Sequence, residues 1–187
     1  DGIRDKLVTG VQTCALPIYD KYSLGLSTQQ LIDYALQLGS DCPFFLYNTP
    51  CLGSGRGERL EPIAVNLENY YITLIHPGIH ISTAWAFGEI RPDDSHRGTL
   101  ARQIAQGPGH WKGTLINDFE TAVFPKYPEI AQIRDRLYDH GALYASMSGS
   151  GSSVFGLFRE PVHLKKDFPP HYFIRESIPA GFERTGN

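Results

Sequence analysis

Apolar residues recur along this chain first at helical and later at strand spacing, and the changes of period mark its elements. Leu31, Ala35 and Leu38 fall on one helical face. Ser27-Thr28-Gln29-Gln30 has the form of a capping box, with Ser27 as N-cap and Gln30 reaching back, and Gly39 suits the stop. After Ser40-Asp41-Cys42-Pro43 comes the apolar run Phe44–Tyr47, closed by the turn-forming Asn48-Thr49-Pro50. The glycine-rich stretch Gly53–Glu58 predicts a loop or a sharply bent strand edge.

Tyr70–Ile75 is rich in aromatic and β-branched residues and ends at Pro77-Gly78, which predicts a strand. Ser82 or Thr83 can cap a helix through Ala84–Phe87, Arg91–Gly98 reads as a surface loop, and Thr99–Gln106 as a short helix. A longer helical region starts near Asn117. Within it Pro128 suits a first helical position, and Ile130, Ile133 and Leu137 form an apolar stripe ending at Gly141. Leu143–Met147 and Ser153–Phe158 read as strands joined by Ser148-Gly149-Ser150-Gly151, and His171–Ile174 as a last strand. Strands at both ends with helices between them predict an α+β fold, an antiparallel sheet covered by helices.

Residues 1–18, DGIRDKLVTGVQTCALPI, follow neither period. Their part Gly10–Ile18 resembles the conceptual translation of a common sequencing adapter, so the segment is set aside as a fusion scar; a surface strand is the alternative. The chain has 187 residues, enough for one domain or one plus part of another, and 41% hydrophobic residues can build a core. A net charge of -3 without a basic stripe argues against nucleic acid as a partner. Apolar stretches are strand-length, short of the roughly 20 residues of a membrane span. Cys14, Cys42 and Cys51 cannot all pair and show no C-x-x-C spacing, which points to a reduced, cytoplasmic setting. The seven histidines form no H-x-x-x-H or His/Cys cluster, so no protein-built metal site is expected.

Three constellations could carry chemistry. Asp41, between a helix-ending glycine and a proline, could take a proton from a substrate hydroxyl, or could simply cap the element that begins at Pro43. The small residues Ser146–Ser153 would let successive N–H groups form an anion-binding nest, or make a tight hairpin. Asp118 and Glu120, two apart, do not share a helical face and are no acid–base pair; capping by Asn117 or Asp118 is the local reading.

The segments LGSDCPFFL, GSGRGERLEPI, HPGIHISTAWAF, INDFETAVFPKYPEI and GALYASMSGSGSSVFGLF, in this order, resemble the C-terminal two-thirds of GHMP-family small-molecule kinases. The likeness is greatest to those acting on 4-diphosphocytidyl-2-C-methyl-D-erythritol in non-mevalonate isoprenoid biosynthesis. The resemblance implies transfer of the γ-phosphoryl group of ATP, with Mg²⁺ brought by the nucleotide, to a hydroxyl of a cytidine-diphosphate-linked polyol. By position Asp41 matches the catalytic base of the family's Gly-Ser/Ala-Asp-x-Pro motif. Ser148, Gly149, Ser150 and Gly151 match its phosphate-proximal loop. Phe87 falls where the family stacks an aromatic on cytosine, with Thr83 on the same stretch; Trp85 could do that work instead, or both rings could be core aromatics.

The resemblance also implies domains: residues 19–68 as the end of the family's N-terminal domain and 69–187 as its ferredoxin-like C-terminal domain. The family's early lysine and P-x-G-x-G-L-G-x-S-S-S-type loop have no counterpart here, so the chain by itself is expected to be inactive. Two alternatives stand beside this reading, a mevalonate- or homoserine-type GHMP kinase and a non-catalytic ligand-binding α+β module.

Overall fold

The computed structural model describes residues 25–47, 49–55, 57–91 and 98–180. The adapter-like segment 1–18 and positions 92–97 of the expected Arg91–Gly98 loop lie outside the described residues. The chain forms two compact units, Asp1–Ala64 and Val65–Asn187.

In the first unit, helix α1 (Thr28–Leu38) begins at the expected capping box. The Gln30 N–H reaches Ser27 Oγ at 3.3 Å, and the Ser27 N–H reaches Gln30 Oε1 at 2.8 Å, so two donors that a helix start leaves unpaired are satisfied reciprocally. The apolar run becomes helix α2 (Cys42–Tyr47), which buries Cys42 and Pro43. Strands β1 (Cys51–Ser54) and β2 (Arg59–Pro62) then pair antiparallel, from Cys51 opposite Pro62 to Ser54 opposite Arg59. The glycine-rich stretch is therefore a hairpin and its turn.

The second unit is built on a four-stranded antiparallel sheet of order β4-β5-β3-β6, with β3 Tyr71–His76, β4 Tyr144–Met147, β5 Val154–Phe158 and β6 Phe173–Pro179. Among the described residues four helices accompany it: α3 (Thr83–Glu89), α4 (Leu100–Ala105), α5 (Phe119–Lys126) and α6 (Pro128–Asp139), with 3-10 turns at Pro108–His110 and Lys165–Asp167. Strand alternation sends side chains to opposite faces, and both faces are covered. Ala145, Met147, Val154 and Phe158 join Ile75 in one core, into which α6 lowers its stripe of Ile130, Ile133 and Leu137. Tyr144 and Leu157 face the other way, into a smaller cluster with Trp111 and Ala180.

The last strand runs further than its apolar residues suggest. Arg175 and Glu176 interrupt the pattern, yet pairing with β3 carries the strand from Phe173, opposite His76, to Pro179, opposite Tyr71. Glu176 is put to use, its carboxylate accepting the backbone N–H groups of Leu164 (2.5 Å) and Lys165. Among the described residues, no helix is long and apolar enough to cross a membrane.

Candidate functional site

Asp41 stands exposed immediately before α2, with Ser40 Oγ 3.4 Å from its Oδ1. A Cβ at Gly57 would lie 3.0 Å from the same oxygen, so the glycine in the β1–β2 turn lets the backbone pass close beside the carboxylate. An exposed carboxylate on a fixed helix start can accept a proton.

In the second unit the strands β4 and β5 are joined by Ser148–Ser153. The Ser148 N–H bonds the Ser153 carbonyl at 2.8 Å, and the Gly151 N–H bonds the Ser148 carbonyl at 3.0 Å. The segment is thus a hairpin loop, as one reading allowed. It also meets a requirement of the other, because the Gly149 and Ser150 N–H groups have no acceptor among the described residues. Gly151 has φ +94°, and a Cβ there would come within 2.7 Å of Ile81 Cδ1 and 2.8 Å of Met147 Sδ. Only glycine fits that position without displacing its neighbours.

The loop is tied to its surroundings by serines. Ser152 Oγ donates to the Ile79 carbonyl at 2.6 Å and lies 3.4 Å from His76 Nδ1, while Ser153 Oγ lies 3.3 Å from the same nitrogen. Ser150 Oγ is 3.3 Å from Thr83 Oγ1 at the start of α3. Two of the expected site residues, 67 positions apart, therefore meet. Ser82 caps that helix, accepting the Trp85 N–H at 3.3 Å.

The two aromatic candidates on α3 differ. Phe87 is 61% exposed and rests one edge on Phe119 at a centroid distance of 4.9 Å. Trp85 is half-buried, edge-on to Tyr127 at 6.0 Å, with Lys126 Nζ 3.7 Å from its ring centre. Trp85 packs with the core, and Phe87 keeps ring surface free for stacking.

Asn117 and Glu120 do more than the local pattern indicated. Asp118 stands at the helix N-cap without a side-chain cap bond. Asn117 Oδ1 does accept the Phe119 N–H at 3.1 Å, but its Nδ2 donates to the Met147 and Gly149 carbonyls, both at 2.8 Å. Glu120 Oε1 accepts from the Met147 N–H at 2.7 Å and from Ser146 Oγ at 2.9 Å, and Glu120 Oε2 pairs with Arg134 at 3.3 Å. Burial works to lower the Arg134 pKa, but the hydrogen bond and charge of Asp135 together with Glu120 outweigh it and hold the guanidinium above its ordinary value. Burial raises the Tyr138 hydroxyl pKa, and that hydroxyl donates to the Ala145 carbonyl at 3.0 Å. Glu120, Arg134, Tyr138 and Ser146 also line a cleft of about 560 Å³.

The antiparallel sheet with its helices is an architecture found in known proteins. Residues 100–168 match the family described as GHMP kinases C terminal. Over those residues the chain carries a GHMP kinase C-terminal domain.

It is 43% identical over 150 residues to the 4-diphosphocytidyl-2-C-methyl-D-erythritol kinase of Parabacteroides distasonis, covering 80% of this chain and 55% of that protein. The enzyme of the same name from Azobacteroides pseudotrichonymphae is 48% identical over 139 residues, 74% of this chain and 52% of the relative. A crystal structure of a 4-(cytidine 5'-diphospho)-2C-methyl-D-erythritol kinase superimposes with a TM-score of 0.71 at 25% identity, over 93% of this chain and 65% of that one. Homoserine kinase from Cytophaga hutchinsonii shares the fold, with a TM-score of 0.67 at 18% identity over 87% of this chain and 61% of that one. The chain spans about half the length of the curated relatives it matches.

Proposed function

We propose that the protein to which this chain belongs transfers the γ-phosphoryl group of ATP to a hydroxyl of 4-diphosphocytidyl-2-C-methyl-D-erythritol, in the cytoplasm. The observation that carries this reading is the loop Ser148–Gly151, whose Gly149 and Ser150 N–H groups lack acceptors among the described residues. Such groups suit an anion, and phosphoryl transfer depends on positioning and on charge neutralisation of the triphosphate. Mg²⁺ arriving with the nucleotide supplies part of that neutralisation when bound.

In this reading residues 19–68 close an N-terminal domain and contribute Asp41, whose carboxylate takes the proton of the substrate hydroxyl. The hydroxyl oxygen bonds to the γ-phosphorus as the bond to the β,γ-bridging oxygen breaks, and ADP leaves. Phe87 stacks on the cytosine ring, and its exposure supports that role over Trp85. Thr83, hydrogen-bonded to Ser150, couples the cytidine-binding helix to the phosphate loop.

The test is ADP release by a full-length form, with this chain joined to the N-terminal half of its Parabacteroides distasonis relative. Release that depends on the cytidyl substrate supports the proposal. Release with mevalonate or homoserine in its place, or with none of the three, overturns it.

A further inference from the structure

Met147 ends β4, and both of its backbone polar atoms are held by side chains of one four-residue stretch. Its N–H goes to Glu120 and its carbonyl to Asn117. Only Asn117 reaches past the strand, because its second amide hydrogen takes the Gly149 carbonyl. The two acceptors flank Ser148, so one planar amide fixes the entry of the glycine loop.

We propose that Asn117 is a positioning residue for phosphoryl transfer, holding the Met147 and Gly149 carbonyls so that the loop offers N–H groups to the triphosphate. The proposal rests on the phosphate-binding reading of that loop. A carbonyl oxygen turned toward a triphosphate would repel it, and Asn117 occupies the two carbonyls on either side of Ser148. Two backbone N–H groups of the loop are spent internally, Ser148 N–H on Ser153 and Gly151 N–H on Ser148. The Gly149 and Ser150 N–H groups are what this leaves.

The residue type follows from the chemistry. A primary amide donates two hydrogens in one plane while its oxygen accepts a third bond, here from the Phe119 N–H. Aspartate would keep that acceptor, lose both donors and set a negative charge against two carbonyl oxygens.

Asn117→Asp is therefore the informative variant, with two measurements. In the chain itself, hydrogen exchange of the Ser148 and Gly151 amides should speed up at least about tenfold, from the loss of two hydrogen bonds, while α6 and β5 amides keep their rates. Unchanged exchange at those two amides overturns the proposal. In the full-length form, KM for ATP should rise about tenfold or more while KM for the cytidyl substrate stays put. A loss shared by both substrates that tracks lowered thermal stability would mark a structural role only and also overturn it. A wild type inactive with every substrate defeats the reaction and with it this role for Asn117. An active wild type that the variant matches in every constant defeats the Asn117 proposal alone.

Discussion

The side-chain nitrogen of Asn117 lies 2.8 Å from the carbonyl oxygen of Met147, across 30 positions of chain. Met147 closes β4, an edge strand whose outward backbone groups have no neighbouring strand to bond among the described residues. Side chains take that place: Tyr138 on the Ala145 carbonyl, Glu120 on the Met147 N–H and Asn117 on the Met147 carbonyl. The edge is covered by polar groups from α5, Asn117 just before it and α6, and the loop that follows inherits its position from them.

Glu120→Ala should destabilise the second unit. It leaves the Met147 N–H without its acceptor, leaves the Ser146 hydroxyl only the Met147 carbonyl at 3.2 Å, and removes one partner of Arg134. The ion pair faces a cleft and Arg134 keeps Asp135, so the cost falls at the lower end for a broken pair, about 3 kcal/mol. Urea unfolding measures it; a loss near zero would show that water replaces the carboxylate.

Gly151→Ala should cost about 2 kcal/mol, since alanine is strained at φ +94° and its methyl would press on Ile81 and Met147. The thermal midpoint of the variant reports this directly, and a midpoint equal to wild type would contradict the packing described.

Asp41→Asn should leave the fold intact, because the side chain is exposed, and lower kcat of the full-length form by about 10²–10⁴-fold. Turnover like wild type would remove Asp41 from the mechanism.

The aromatics should separate cleanly. Phe87→Ala is expected to raise KM for the cytidyl substrate about tenfold or more with little change in stability, given stacking of about 1–3 kcal/mol per base. Trp85→Ala should do the reverse, lowering stability through lost packing on Tyr127 and Lys126. A KM effect confined to Trp85 would exchange their roles.

Tyr172 gives the pH dependence. Burial first, then its hydrogen bond to Glu129 and that carboxylate's charge, push the phenol up to about 12 from an ordinary 10.0. A raised folded pKa stabilises fully below the unfolded value and loses that contribution as pH climbs through the folded one. Stability should therefore fall between about pH 10 and 12, and less steeply in Tyr172→Phe. Urea midpoints across that range decide, with equal slopes counting against the assignment.

Local signals made much of the fold legible. The Ser27–Gln30 box, the Ser82 cap and Pro128 each fix a helix start through neighbours within one turn. The stripe Ile130, Ile133, Leu137 is buried as its spacing implied. The full length of β6 was hidden because Arg175 and Glu176 look like loop residues until Leu164 and Lys165 bring their N–H groups to Glu176. Asn117 was legible only as a cap, since its partners Met147 and Gly149 become neighbours through the packing of α5 on the end of β4.

The most direct measurement follows phosphorus by NMR during turnover of the full-length form with ATP and the cytidyl substrate. A new phosphate monoester resonance should grow in step with ADP while the diphosphate resonances of the substrate persist, and Asp41→Asn should suppress it. Cleavage of the substrate diphosphate, or ADP formation with no new monoester, would contradict phosphoryl transfer to the polyol hydroxyl.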